Sequence, residues 1–395
     1  MDKMGEVKSM KSVKRRLLPL LLIPAIPLVL GLYGGGYPEL YQRILIHGIG
    51  VDFTGEDYLV TVRSSLSPED EGEEVFTCRG ETVLDALSQL SLSTGREPFY
   101  AHNYLVVFGM DCARQGLDEC LDFFVRYYNT RPAVKLFLAL GTAEEVLRTE
   151  QDGKLMRMSQ LQALASGGRY NGMTAEVDLL DFVNRSMAPG GSGLMPVLKA
   201  GEEGVSAFGT AYFDGAAVAG TLSLEQTRGW LAATGRMEKG ELTLEVEGHR
   251  ATLSLRGVRA DIEPRLQEGL GFDISLKVQA DISSLDTAPG SGPNSGPVAE
   301  QSGGTQLHMD LQSAAERLLK EEIQSAAAAA GEDGCDILGF GNLLYRKQPQ
   351  LWKEYQDHRE SWARALAGCQ VGVHAQVKLR RLEQERAPGG RGVNG

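Results

Sequence analysis

The chain lacks every compact signature of catalysis. It has no G-x-x-x-x-G-K-[ST] loop to cradle phosphates and no G-x-G-x-x-G after a strand. It also has no H-E-x-x-H metal pair and no G-x-S-x-G nucleophile turn. Six histidines, His47, His102, His249, His308, His358 and His374, are scattered, and none forms a ligand spacing with another. The five cysteines, Cys78, Cys112, Cys120, Cys335 and Cys369, are odd in number and contain no C-x-x-C, which removes the usual zinc half-sites. They read as buried or free thiols. If the chain is exported, a Cys112–Cys120 or a Cys335–Cys369 disulfide stays open. No catalytic, cofactor-binding or metal-binding residue is assigned, and no cofactor is expected.

Positive charge is scarce in the body. Net charge is −12, although the first residues carry Lys3, Lys8, Lys11, Lys14, Arg15 and Arg16 against Asp2 and Glu6. The rest is therefore strongly acidic, which argues against nucleic acid as a partner, because phosphate contacts need clustered Lys and Arg. The longest apolar run is 17–32, uncharged and interrupted by Pro19, Pro24 and Pro27. A basic tail before an apolar stretch is the pattern of an export signal. The run is shorter than the ~20 residues of a comfortable membrane span. The charge asymmetry predicts an inside N-terminus and an outside body. Small residues at Gly34, Gly35 and Gly36 leave two outcomes, cleavage after Gly36 or retention as an anchor.

With 395 residues the length favours two or three domains, and 42% hydrophobic with 7% aromatic content is that of a globular chain. Residues 43–52 and 58–63 alternate as strands around Thr54-Gly55-Glu56-Asp57, a hairpin. Residues 82–90 predict a helix with Leu84, Leu87 and Leu90 inward. A buried strand follows at 104–108, then a helix with Leu117, Leu121, Phe124 and Val125 at core spacing, then a strand at 134–140. Thr142-Ala143-Glu144-Glu145 is a capping box. This order predicts at least one βαβ crossover in a mixed sheet. Residues 151–201 read as short helices and irregular chain ending in the glycines at 190–193.

A second unit is expected from about 205. Strands at 205–213 and 216–222 flank Asp214-Gly215, a type I′ signal, and Ser223-Leu224-Glu225-Gln226 caps a helix reaching Trp230. Strands follow at 242–247, 251–260 and 271–282. A Gly/Pro/Ser-rich flexible loop spans 287–305, and a helix at 307–330 turns Leu311, Ala314, Ala315, Leu318 and Ile323 inward. The expected divisions are a basic tail plus signal or anchor segment (1–36), an N-terminal α+β domain (37–200), a C-terminal α+β domain (205–385, with two subdomains an option) and a disordered tail (386–395). The fold class is α+β with mixed and antiparallel sheets and packed helices. His47 and His374 fit strand alternation as solvent-facing or hydrogen-bonded residues. His102 reads as a structural hydrogen-bonding residue, and the pairs Glu144-Glu145 and Glu321-Glu322 as solvated helix faces.

The last block is the most specific. Asp336-Ile337-Leu338-Gly339-Phe340-Gly341 turns tightly into a short helix through Leu343, Leu344 and Tyr345. Pro349 opens a second helix with Trp352, Tyr355, Trp362 and Leu366 on one face. Val371, Val373, Ala375, Val377 and Leu379 then alternate with Gly372, His374, Gln376, Lys378 and Arg380, a half-buried strand. The aromatic stripe reads as core packing rather than a ligand platform.

Three blocks in order carry a family resemblance. The first is Tyr100-Ala101-His102-Asn103-Tyr104-Leu105-Val106-Val107-Phe108-Gly109, running on through Gly116-Leu117 to Phe124 and Arg126. The second is Phe208-Gly209-Thr210-Ala211-Tyr212-Phe213 with Gly220-Thr221-Leu222 and Glu225-Gln226-Thr227-Arg228-Gly229. The third is Asp336 through Gly341, with Tyr345, Pro349, Trp352, Trp362 and the strand ending in Arg380-Arg381. Ile49-Gly50-Val51-Asp52 fits as a first strand. Over 37–381 the chain resembles the Ger(x)C family, the C subunits of bacterial spore germinant receptors.

The resemblance implies a non-enzymatic protein tethered outside the spore inner membrane. It would act with A and B membrane subunits in a receptor for amino acids or other small nutrients. The alternative is an exported small-molecule-binding module that takes the germinant directly. An exported hydrolase is disfavoured, because no nucleophile–base or metal constellation is present. One departure stands out. The family's lipid-bearing cysteine is replaced by Gly36, and no cysteine precedes Cys78. Lipidation by that route is excluded, and the 17–32 segment is expected to hold the chain instead.

Overall fold

A computed structural model describes residues 43–65, 73–126, 131–267, 269–286, 303–356 and 359–380. The basic tail, the 17–32 segment, Gly36 and the C-terminal tail lie outside the described residues, as do 287–302 of the expected loop and His358.

Alternating apolar residues build β1 (Arg43–Phe53) and β2 (Tyr58–Ser65), which pair antiparallel, with β3 (Glu74–Gly80) beyond β2. Thr82 caps α1 (Val83–Thr94), whose side-chain oxygen accepts from the Asp85 N–H. The buried stripe of α1 is Val83, Ala86, Leu87 and Leu90; Leu84 is 51% exposed, because the inward face is set one residue earlier than expected. A short strand, β4 (Glu97–Phe99), runs parallel to β1 and precedes β5 (Leu105–Phe108), where four successive residues are fully buried. Continuous burial is what a central parallel strand covered on both faces requires.

α2 (Met110–Gln115) and α3 (Asp118–Arg126) lead to β6 (Lys135–Ala139), parallel to β5, so the expected βαβ crossover is present as two helices rather than one. Leu117, Leu121 and Phe124 are buried as expected, whereas Val125 is 56% exposed.

The Thr142 capping box opens α4 (Ala143–Arg148). Asp52, at the end of β1, also accepts from the N–H groups of Ala143 (2.7 Å) and Glu144 (2.9 Å), which fixes where α4 meets the sheet. Burial pushes the Asp52 carboxyl above its ordinary range despite those two donors. The small pair β7 (Glu150–Gln151) and β8 (Lys154–Leu155) follows, then α5 (Met158–Ser166), α6 (Gly168–Asn171) and α7 (Leu179–Met187).

Residues 194–201, expected to be irregular, form β9 (Leu194–Gly201), parallel to β6 through Leu138 and Val197. Its first five residues are all buried, so it carries no period-two pattern to read. β10 (Gly204–Asp214) and β11 (Ala217–Leu222) add to it, extending the first sheet rather than opening a second. Their turn has positive φ at Gly215 alone, so it is not the expected type I′, which needs two such residues. The nine-stranded sheet runs β11-β10-β9-β6-β5-β1-β2-β3, with β4 also on β1.

Ser223 caps α8 (Leu224–Ala233) with a full capping box. β12 (Lys239–Val246), β13 (His249–Arg265) and β14 (Gly271–Asp286) form an antiparallel meander, and the last strand, β15 (Gln370–Arg380), joins parallel to β14. Between them stands α9 (Gly303–Glu332), which begins inside the expected loop. Leu311, Ala315, Leu319 and Ile323 repeat every four residues along it and are buried. α9 also covers the free edge of β15. The Val377 N–H donates to Glu316 (2.9 Å), and Gln324 donates to the Val371 carbonyl (3.2 Å). Such cover removes an unpaired strand edge from solvent.

Glu322 corrects the reading of Glu321-Glu322 as a solvated pair. It is only 6% exposed and lies between α8 and α9. Arg228 donates to it through Nε (2.9 Å) and Nη2, and donates Nη1 to the Glu241 carbonyl of β12 (3.0 Å). Burial raises the Glu322 carboxyl despite the guanidinium. Arg228→Met alone is expected to cost about 3–5 kcal/mol, because it strands a buried carboxylate. Arg228→Met with Glu322→Leu should return most of that loss. Urea unfolding of the wild type and the two variants decides, and a single variant as stable as the wild type contradicts the burial.

Candidate functional site

The residues that converge most tightly lie where the C-terminal block meets the first sheet. Asp336 stands just after α9 and is 3% exposed. Its carboxylate accepts from the N–H groups of Gly339 (2.8 Å), Phe340 (2.9 Å) and Gly341 (2.6 Å), the free donors that open α10 (Phe340–Lys347). Gly339, at φ 76°, makes the left-handed turn that lets three successive amides face one side chain. Burial raises the Asp336 carboxyl to about 6, with the three backbone donors opposing the rise.

Beyond α10 the expected single helix is two pieces, α11 (Pro349–Trp352) and α12 (Arg359–Ala367), joined through a turn at 353–356. The break folds the stripe back on itself. Trp352 and Trp362 meet edge to face at 5.2 Å, and Tyr355 meets Trp362 at 5.5 Å. Trp352, Trp362 and Leu366 are buried as expected, while Tyr345 is 53% exposed.

This cluster grips a segment far away in sequence. Trp362 Nε1 donates to the Gly190 carbonyl (3.2 Å), and Gly191 bridges to Asp336. Gly190 has φ 67°, and a Cβ there would fall 2.4 Å from Trp362 Nε1. A Cβ on Gly341 would fall 2.5 Å from the Pro189 carbonyl. Trp230 Nε1 donates to the Ile337 carbonyl (2.9 Å), and the guanidinium groups of Arg185 and Arg236 lie over its ring. Asp181 joins those two arginines; burial works to raise its carboxyl, but their hydrogen bonds and charge hold it below the ordinary range. From the first sheet, Tyr212 donates to Asp333 (2.6 Å), and from the second Phe272 stacks on Phe340 at 3.9 Å. The block is therefore a clasp between the two sheets. A cavity of about 210 Å³ opens beside it, lined by Gln324, Gly331, Cys335, Leu338, Leu366 and Cys369 among others.

The histidines stay apart. His47 pairs with Glu73 (3.1 Å) and its ring meets Tyr104, and His374 is exposed, both as expected. His102, read as a structural hydrogen-bonding residue, is exposed with its ring against Phe99, and its neighbour Asn103 is buried. His47 and Glu73 join Arg63, only 1% exposed, which donates to the carbonyls of Leu147 (2.8 Å) and Met156 (3.0 Å) at the floor of an open polar cleft. Burial works to raise the Glu73 carboxyl, but the His47 hydrogen bond and the Arg63 charge hold it low. Among the described residues no group of three or more His, Cys, Asp or Glu could hold a metal ion. Glu144 lies beside Arg148 and Thr77 at the surface. The sequence names Asp336, Arg228 and Glu322 but not the cradle of amides around Asp336 or the buried Arg228–Glu322 pair. The signal for Asp336 was an acidic side chain three and five residues before two glycines.

The architecture defines a two-sheet α+β protein clamped by an aromatic and carboxylate junction. Two family models divide it at the turn between β9 and β10. "Spore germination protein N-terminal domain" matches residues 36–200, and "Spore germination B3/ GerAC like, C-terminal" matches residues 208–383. The chain belongs to the Ger(x)C family of spore germination proteins. Spore germination protein KC of Bacillus subtilis (strain 168) is 23% identical over 416 residues, covering 95% of this chain and 98% of that protein. Spore germination protein B3 of the same organism is 21% identical over 342 residues, covering 81% and 87%. The crystal structure of the GerBC protein shares the fold, with a TM-score of 0.57 and 16% identity over 85% of this chain and 97% of that one.

Two outcomes test the clasp. Gly190→Ala forces a left-handed alanine, costing about 1–2 kcal/mol, and displaces Trp362, costing about 1–3 kcal/mol more; chemical denaturation reads the sum, and a neutral variant contradicts the contact. Asp336 also predicts a pH effect. Between its ordinary value of 3.8 and about 6, the folded chain keeps a proton that the unfolded chain releases. Its contribution is complete below that window and is lost as pH rises through it. The stability gap between wild type and Asp336→Asn should therefore shift against the wild type by up to about 3 kcal/mol from pH 4 to pH 7. A gap independent of pH removes the assignment.

Proposed function

We propose that this chain is the non-enzymatic C subunit of a nutrient germinant receptor. It is held on the extracytoplasmic face of the spore inner membrane and works with A and B membrane subunits by protein–protein contact. The observation that carries the reading is the pair of family matches, which tile residues 36–200 and 208–383 in order across a body joined by the Asp336 clasp. Curated relatives named as spore germination proteins, matched over most of their length, support the role. No described helix is long and apolar enough to cross a membrane. Tethering is assigned to the 17–32 segment, because Gly36 stands where the lipidated cysteine is expected.

Detergent extraction of spore membranes with a tagged chain tests this. Co-purification with A- and B-type subunits is the expected result, and recovery without them contradicts it. The anchor has its own readout. The intact chain should fractionate with membranes and retain residues 17–32, and a soluble body beginning at Tyr37 would show the anchor to be wrong. A second reading, direct nutrient binding, has the cavity beside Cys335 and Cys369 in its favour. Stabilisation of the purified chain by an amino acid, abolished by Gly331→Leu, would support it.

A further inference from the structure

The geometry points to a disulfide between Cys112 and Cys120 in the exported protein. α2 ends at Gly116, whose φ of 119° reverses the chain, and α3 begins two residues later. The reversal brings Cys112 and Cys120 together with their sulfurs 2.9 Å apart. Bond formation needs a movement of only about 1 Å from that position. The other pairing open on sequence finds no such support: Cys335 faces the Asp333 carbonyl, and Cys369 faces that of Gln370.

The surroundings define what kind of disulfide this is. Both thiols are buried, at 1% and 0% exposure. Cys112 is pushed far above its ordinary value, first by its hydrogen bond with Cys120 and then by burial, with Asp52 adding to both. On the other side Tyr58 approaches Cys120 and donates to Glu119. The hydrogen bond with Cys120 and burial hold Cys112 as the thiol, whereas a thiolate is the attacking species in exchange. A pair of this kind is unsuited to redox catalysis. It closes during folding, before α2 and α3 pack onto the sheet, and is then sealed from reductants. The bond ties the two crossover helices that cover one face of β5 and β6.

The step balances as thiol–disulfide exchange. A disulfide-bearing oxidant on the exported side, an oxidoreductase of the dithiol–disulfide class, takes one proton and one electron from each thiol. The Cys112–Cys120 bond forms, the oxidant's S–S bond breaks, and two oxidant thiols are released. The inference rests on the export reading above, because the cytoplasm would keep both thiols reduced.

The test uses the full chain in two arms. In the first, spores are lysed in acid, and the chain is unfolded and alkylated. Intact mass and peptide mapping should show Cys78, Cys335 and Cys369 alkylated, with Cys112 and Cys120 linked and two hydrogens lighter. Protease accessibility in the same membranes fixes the side on which the body lies. An outside body with Cys112 and Cys120 both alkylated overturns the disulfide and leaves the receptor reading standing; an inside body overturns export. In the second arm, purified full chain in detergent is unfolded, reduced and refolded in a glutathione and glutathione-disulfide buffer. Predominant Cys112–Cys120 linkage supports the pairing whatever the compartment. Refolding with both left as thiols or as mixed disulfides overturns it. Cys112→Ser should lose the link and leave Cys120 alkylated, which excludes a substitute partner.

Discussion

A buried carboxylate with three amide donors holds the two halves of this molecule in register. Asp336 fixes the turn that aims Phe340 at Phe272 of the second sheet and sets Gly341 against the Pro189 carbonyl in the loop between α7 and β9. Without it, the amides opening α10 would be unpaired in the interior, which no folded chain tolerates cheaply. Trp362, Trp352 and Trp230 then close around that turn. The chain passes from the first sheet to the second from β11 through α8 into β12, and the buried residues of both sheets pack as one cluster around the clasp.

Buried charges also join elements distant in sequence at two other places. Asp52 accepts from the first amides of α4 and positions that helix on β1. Arg228 and Glu322 join α8 to α9 and reach β12. In each place a buried charge is satisfied by groups from elements distant in sequence. Such sites specify one arrangement more than they stabilise it.

The elements whose signals are local were legible. The Thr142 and Ser223 capping boxes, the hairpin after β1 and the alternation of β15 all stand where the residues put them. The resemblance in three blocks led to the right family. What escaped was non-local. β9 has no alternation because both of its faces are covered, so it looked irregular and hid the continuation of the first sheet. Glu322 looked like helix surface because Arg228 lies 94 positions away. Trp352 and Trp362 were rightly read as core, yet their partner, Gly190, is 172 residues upstream and stood at the end of a stretch read as loose.

All three tryptophans of the chain sit at the clasp, so intrinsic fluorescence reports on it selectively. The most direct test follows urea unfolding by tryptophan fluorescence and, on the same samples, by hydrogen exchange of the β1 and β5 amides in the first sheet. If the clasp unites the two sheets into one cooperative body, the two curves share a midpoint. Loss of the tryptophan signal at lower urea, with β1 and β5 still protected, would show that the halves are independent and that the clasp is incidental.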